Sequence, residues 1–101
     1  MGTEVRRVGS ESRYEVLVAG RLAGFAAFKD HGALLLFTHT EVDPSYEGQG
    51  LGSVLVRGAL DDVRGRGERI VALCPFVRSY IERHEEYRDL VLDVPPSRVT
   101  D

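Results

Sequence analysis

The sequence predicts an α+β fold (mixed α/β), a central, mostly antiparallel sheet flanked by helices, and three observations lead to it. The first half of the chain alternates residues at strand period, the second half shifts to helical period, and a glycine-rich loop marks the change. At 101 residues and 43% hydrophobic content, the chain can build one modest core. A single domain over residues 1–94 is expected, with Pro95-Pro96-Ser97-Arg98 opening a C-terminal tail over 95–101.

Taken in order, a strand from Glu4 to Val8 precedes a hairpin arm from Arg13 to Val18, where Tyr14, Val16 and Val18 alternate with Glu15 and Leu17. Ala19-Gly20 turns the chain into a second arm, Arg21 to Lys29, and Asp30-His31-Gly32 turns it again. The next strand, Ala33 to Val42, contains the run Leu34-Leu35-Leu36-Phe37, which predicts burial on both faces. Asp43-Pro44 breaks it. From Leu51 to Arg64 the spacing predicts an amphipathic helix, with Leu51, Val54, Leu55, Ala59 and Val63 inward and Ser53, Arg57, Asp61 and Arg64 outward. Gly65 and Gly67 end it. A short strand from Arg69 to Cys74 follows, again expected to be buried on both faces. Pro75 then suits the first position of a second helix, with Cys74 at its N-cap and Phe76, Val77, Tyr80, Ile81 and His84 on one face.

The net charge of −3 and pI near 5.6 provide no global positive field for nucleic acid or an anionic membrane, so neither is an expected partner. An anionic ligand must be held by a local site. No apolar run approaches the roughly 18 residues of a membrane span, and Met1-Gly2-Thr3-Glu4 lacks a leader's apolar stretch, so a cytoplasmic location is expected. The single cysteine, Cys74, excludes an internal disulfide, and no Cys/His cluster has metal-binding spacing. Nothing in the sequence specifies an oligomeric state.

The informative segment runs from Val42 to Ser53. Successive glycines let backbone N–H groups approach a phosphate, and the start of the following helix adds partial positive charge. A P-loop would need Gly-Lys-Ser/Thr, whereas this chain has Gly52-Ser53-Val54. A dinucleotide fingerprint counted from Gly48 would place Ser53 where a glycine belongs, and the preceding hairpins are not βαβ units. A glycine-rich turn without a ligand is the plain alternative.

Gln49-Gly50-Leu51-Gly52, following a strand that ends in Val42-Asp43-Pro44, resembles the acyl-CoA pyrophosphate motif of the GNAT superfamily of N-acetyltransferases, Arg/Gln-x-x-Gly-x-Gly/Ala. Gly50 and Gly52 fall on its glycines, and Glu47 stands at its first position, where an arginine is usual. His39-Thr40-Glu41-Val42, Tyr46 to Gly52, Leu73-Cys74-Pro75-Phe76-Val77, Tyr80 to His84 and Tyr87 to Val91 further resemble the small single-domain GNAT-like family. That resemblance implies a minimal fold with a splayed pair of parallel strands, binding acetyl-CoA and acting on a small-molecule or protein amine acceptor. It places the coenzyme on Val42, Glu47, Gly48, Gln49, Gly50, Leu51, Gly52 and Ser53, with Val42 as backbone partner of the pantetheine arm.

Acetyl transfer requires an unprotonated amine, a stabilised oxyanion and an acid for the departing thiolate. Cys74, between a strand and a helix N-terminus, is the first catalytic candidate, as a nucleophile or proton donor, and a buried inert cysteine is the alternative. His39 is the second, as a base. Alternation along the strand places Phe37, His39 and Glu41 on one face, so that Glu41 could orient the ring. Tyr80, Arg83 and His84 are candidates for the coenzyme mouth, Tyr80 foremost, and the run Arg64 to Arg69 for the 3′-phosphate. A second functional class, an acyl-CoA-binding or protein-interaction module with the same fold, accounts for the same motifs.

Overall fold

Among the residues that the computed structural model describes, 2–92, five strands form one sheet in sequence order. They are β1 Thr3–Val8, β2 Arg13–Val18, β3 Arg21–His31, β4 Leu34–Val42 and β5 Arg69–Ala72. Neighbours are antiparallel from β1 to β4, and β5 joins β4 in parallel after a crossover through helix α1, Leu51–Gly65. Helix α2, Pro75–Arg83, follows β5, and short 3-10 turns cover Gly9–Glu11, Pro44–Tyr46 and Glu85–Leu90. This is the α+β architecture the sequence predicts. The tail from residue 95 lies outside the described residues.

Local chemistry accounts for the connections. Ala19 and Gly20 both hold positive φ, 51° and 82°, the geometry a two-residue hairpin needs to match the right-handed twist of its strands. At the end of α1, Gly67 at φ 72° lets its own N–H reach Arg64 O at 3.1 Å and that of Glu68 reach Val63 O at 3.1 Å. This paired closure satisfies the last carbonyls of the helix. At the start of α2, Cys74 is the N-cap and Pro75 the first residue, as the sequence predicts.

The helices share one core with one face of the sheet. Leu51, Leu55, Val56, Ala59, Leu60 and Val63 bury themselves from α1, and Val77, Tyr80 and Ile81 from α2. Val54 and Phe76, both expected to point inward, are 41% and 38% exposed. Val56 and Leu60 shift the buried arc of α1 away from Val54, and Phe76 turns instead toward the loop before α1.

Burial on both faces of β4 and β5 does not hold. Leu35, Phe37 and Ile70 are buried, whereas Leu34, Leu36 and Val71 are half-buried and Leu73 is 49% exposed. The second face of the sheet is open among the described residues, so the apolar runs there are covered only by their neighbours. Glu15 lies on that face, buried beneath ion pairs to Arg6 at 3.3 Å and Arg13 at 2.8 Å.

Tyr14 ties β2 to α1. It is fully buried, its hydroxyl donates to Asp62 Oδ2 at 2.7 Å, and Arg7, itself paired with Glu68 at 2.7 Å, donates to that hydroxyl. Burial alone would raise the Asp62 pKa, but hydrogen bonds from Tyr14 and Arg66 outweigh it and hold the carboxyl below its ordinary range. A depressed folded-state pKa contributes stability above the ordinary carboxylate pKa, and that contribution is lost as pH falls through the folded value. Tyr14→Phe is therefore expected to cost about 1–2 kcal/mol at neutral pH and to flatten the acid limb of a stability-against-pH curve measured by urea unfolding. An unchanged acid limb would remove the coupling.

Candidate active site

The site is built where β4 ends. Asp43 accepts hydrogen bonds from Ser45 N at 2.9 Å and Ser45 Oγ at 2.8 Å, and these hold its carboxyl below the usual pKa. The turn Pro44–Tyr46 then brings the chain round, with Glu47 N bonded to Pro44 O at 3.1 Å and Gln49 N to Tyr46 O at 3.3 Å. Gly48 and Gly50 take left-handed φ values of 85° and 71°, which favour glycine, and Gly50 is the N-cap of α1. The first bond of the helix runs from Val54 N to Gly50 O, so the N–H groups of Leu51, Gly52 and Ser53 have no partner within the helix.

Above these N–H groups lies a concavity of about 260 Å³ lined by Val42, Tyr46, Glu47, Gly48, Gly50, Leu51, Gly52, Ser53 and Phe76. Seven of the eight loop-site residues expected from sequence are brought together here; Gln49 is exposed and does not line it. Tyr46 and Phe76 were not among the expected residues. The Phe76 ring lies over Gly52, where a Cβ would come within 2.7 Å of its Cζ. Spacing alone assigned Phe76 to the core, and its approach to Gly52 is a tertiary contact that the sequence around it does not signal.

Tyr80 sits elsewhere. It is 2% exposed, stacked on His84 at 3.9 Å between ring centroids, and does not line the concavity. Arg64 is occupied with Asp89 at 2.8 Å, and Arg66 with Asp62 at 2.7 Å. They stand at the far end of α1, about 20 Å from the loop at 1.5 Å per helical residue. This run, the candidate for the 3′-phosphate, thus lies at the opposite end of α1 from the loop, with Arg64 and Arg66 engaged in ion pairs.

Beside the loop the parallel strands part. β5 pairs with β4 only from Leu34↔Arg69 to Phe37↔Ala72, after which Leu73 N and Cys74 N both donate to Phe37 O, at 3.0 and 2.9 Å. From Thr38 onward β4 continues to Val42 without a strand on that side among the described residues. Cys74 closes the parting: it is 4% exposed, with Sγ 3.3 Å from Thr40 Oγ1. Thr40 is a contact that sequence reading missed, since the two residues are 34 positions apart.

His39 and Glu41 are neighbours as expected, with Nε2 and Oε2 2.7 Å apart and side chains 58% and 61% exposed. Their face differs from the expected one. The β3–β4 register steps from Ala27↔His39 to Phe28↔Phe37, which makes Thr38 an extra residue on β4. Such a bulge reverses the alternation of side chains. Phe37 therefore faces the helices together with Thr40 and Val42, while His39 and Glu41 face the open side, where His39 meets the Phe25 ring at 6.1 Å. Cys74, touching Thr40, and His39 approach β4 from opposite faces. A reactant held in the parting of the strands could be reached from both.

Among the described residues no group of three or more His, Cys, Asp or Glu could hold a metal ion, and no helix is long and apolar enough to cross a membrane. A model of the family described as GCN5-related N-acetyl-transferase matches residues 13–90. Comparison with curated proteins gave no match. Among solved structures, the chain is similar to a GCN5-like protein from Staphylococcus aureus, with TM-score 0.67 and 20% identity over 92% of this chain and 91% of that one. It is also similar to the ribosomal-protein-S18-alanine N-acetyltransferase of Escherichia coli, with TM-score 0.59 and 22% identity over 70% of this chain and 49% of the other. The match therefore spans about half the length of that enzyme. An N-acetylglutamate synthase from Neisseria gonorrhoeae, complexed with coenzyme A and N-acetyl-glutamate, gives TM-score 0.58 and 20% identity over 98% of this chain and 26% of its own. At these identities the structural likenesses speak for the fold, and the family match spans β2 to the last 3-10 turn, loop and strand parting included. The chain belongs to the GCN5-related N-acetyltransferase family.

Proposed function

We propose that this protein takes acetyl-CoA and transfers its acetyl group to an amine, with the pyrophosphate held by residues 47–53 and the thioester lying where β4 and β5 part. One observation carries the reading: among the described residues, N–H groups at the start of α1 that have no partner within the helix open onto a concavity adjoining the stretch of β4 that β5 leaves. The residues present fit a diphosphate. Nothing lies within 4 Å of a Cβ built on Gly48 or Gly50, so these glycines serve backbone geometry and close approach and fill no packing role. Glu47 opposes an anion, and the N–H groups and the helix dipole must outweigh it.

Bound there, acetyl-CoA supplies the activated acetyl group. The chain's residues do the rest. Leu51, Gly52 and Ser53 donate N–H groups to the pyrophosphate, and Val42 presents unpaired backbone to the amides of the pantetheine arm. Cys74, oriented by Thr40, stands at the reacting end as nucleophile or as the acid that protonates the departing sulfur. His39, held by Glu41, accepts a proton from the amine on the other face.

Wild-type protein incubated with acetyl-CoA is expected to gain one acetyl group by intact mass, and Cys74→Ala to gain none. The variant is expected to lose roughly 100-fold in kcat, with CoA affinity by calorimetry unchanged. No adduct together with unchanged turnover removes Cys74 from the chemistry. CoA binding without turnover of any amine would make the chain an acyl-CoA-binding module.

A further inference from the structure

A second concavity, of about 270 Å³, lies where β3 begins and β4 ends, lined by residues 22–25 and 41–44. We infer that it is the acceptor site and takes a primary alkylammonium, charged head on Glu41 and apolar stem along Leu22 and Phe25. This assignment rests on the acetyltransferase reading above.

Its wall chemistry selects the ligand. The titratable side chains lining it are carboxylates, Glu41 and Asp43, and no lysine or arginine lines it. Asp43 takes both Ser45 bonds on Oδ1 and Glu41, 61% exposed, meets His39 through Oε2, so each offers its other oxygen to an incoming cation, and Glu41 is the one joined to the base. Arg13 lies over the Phe25 ring at 4.7 Å and shares Glu15 with Arg6, so that cluster keeps one net positive charge against the two carboxylates that line the concavity. Leu22, one of the large apolar side chains left in solvent, is 46% exposed on the same concavity. An apolar wall ending in a carboxylate matches an alkyl chain ending in an ammonium.

Its position matches the reaction. Val42 lines both this concavity and the one at the loop, so a single residue separates an amine on one side from a coenzyme on the other. An ammonium on Glu41 is next to His39, whose Nε2 is 2.7 Å from the same carboxylate. An ammonium entering between the two replaces their direct contact, keeping one N–H on the Glu41 carboxylate and turning another to Nε2 of the Nδ1–H tautomer. It gives that proton to Nε2, and its freed lone pair forms the new bond to the acetyl carbonyl carbon. The carbon–sulfur bond breaks with its electron pair left on sulfur. Where that sulfur is the coenzyme's, Cys74 protonates it and regains a proton from the amine nitrogen; where it is Cys74's own, the amine proton passes to it directly. His39 returns its proton to solvent.

The test is a titration of isotopically labelled protein, saturated with CoA, with n-pentylamine, Nα-acetyl-lysine methylamide and the neutral control n-pentanol, followed by amide chemical shifts. Both amines are expected to move the amides of residues 22–25 and 41–43, with pentanol at least tenfold weaker. Glu41→Gln, a change at an exposed position, is expected to weaken both amines at least tenfold and to leave the CoA titration unchanged. A tighter lysine derivative assigns the site to a protein lysine, and a tighter pentylamine to a free alkylamine. Shifts confined to other residues, or equal affinity for pentanol, overturn the site while leaving the CoA reading intact. A wild type that fails to bind CoA overturns the acetyltransferase reading and, with it, the acceptor role.

Discussion

Gly50→Asp is expected to lower CoA affinity by about 100-fold or more, equivalent to about 2.7 kcal/mol. Two effects add. A residue with a side chain held in the left-handed region carries a strain of about 1 kcal/mol, and Gly50 sits at φ 71° and ψ 20°. The larger effect is charge. Two like charges about 4 Å apart repel by about 4 kcal/mol at the effective dielectric of a protein surface, and the new carboxylate would stand at the N-cap of α1 beside the proposed pyrophosphate. Because nothing lies within 4 Å of a Cβ at this position, no clash adds to that strain and the fold is expected to lose about 1 kcal/mol. Calorimetry with CoA, paired with a thermal melt, separates the two contributions. An affinity equal to wild type would mean that the loop is not the pyrophosphate site.

Gly24→Val is expected to act through the sheet, lowering Tm by roughly 10 °C or more for an estimated 2–3 kcal/mol of overpacking. Gly24 pairs with Val42 across the β3–β4 ladder, and a Cβ there would come within 2.6 Å of Glu41 O and 3.1 Å of Val42 Cα. Both are backbone atoms, so relief requires β4 to move. The displaced segment, Glu41 and Val42, forms part of the walls of both concavities, and CoA affinity and amine binding are expected to fall with stability. Scanning calorimetry and the CoA titration measure this directly. A Tm within a degree or two of wild type would show that the strands have room the contacts do not indicate.

Much of the fold is legible from local chemistry. The hairpin turn at Ala19-Gly20, the helix stop at Gly67 and the helix start at Pro75 follow from the conformations those residues permit. The loop was equally legible, because residues 47–53 are contiguous and its shape rests on their own backbone. The misreadings arose where the outcome depended on a distant partner. Val54 and Phe76 were assigned inward by periodicity, which gives a face without specifying what covers it. The apolar run of β4 was read as covered on both sides, although the helices line one face only.

The sequence by itself determined the element order, the glycine geometry of the loop and the adjacency of His39 to Glu41, since each depends on residues close together in the chain. Only the tertiary structure decided which way that pair faces. The bulge at Thr38 exists through register with β3, and no pattern within β4 specifies it. The Cys74 contact with Thr40 and the parting of β4 from β5 were decided in the same way, by chain segments brought together across the crossover through α1.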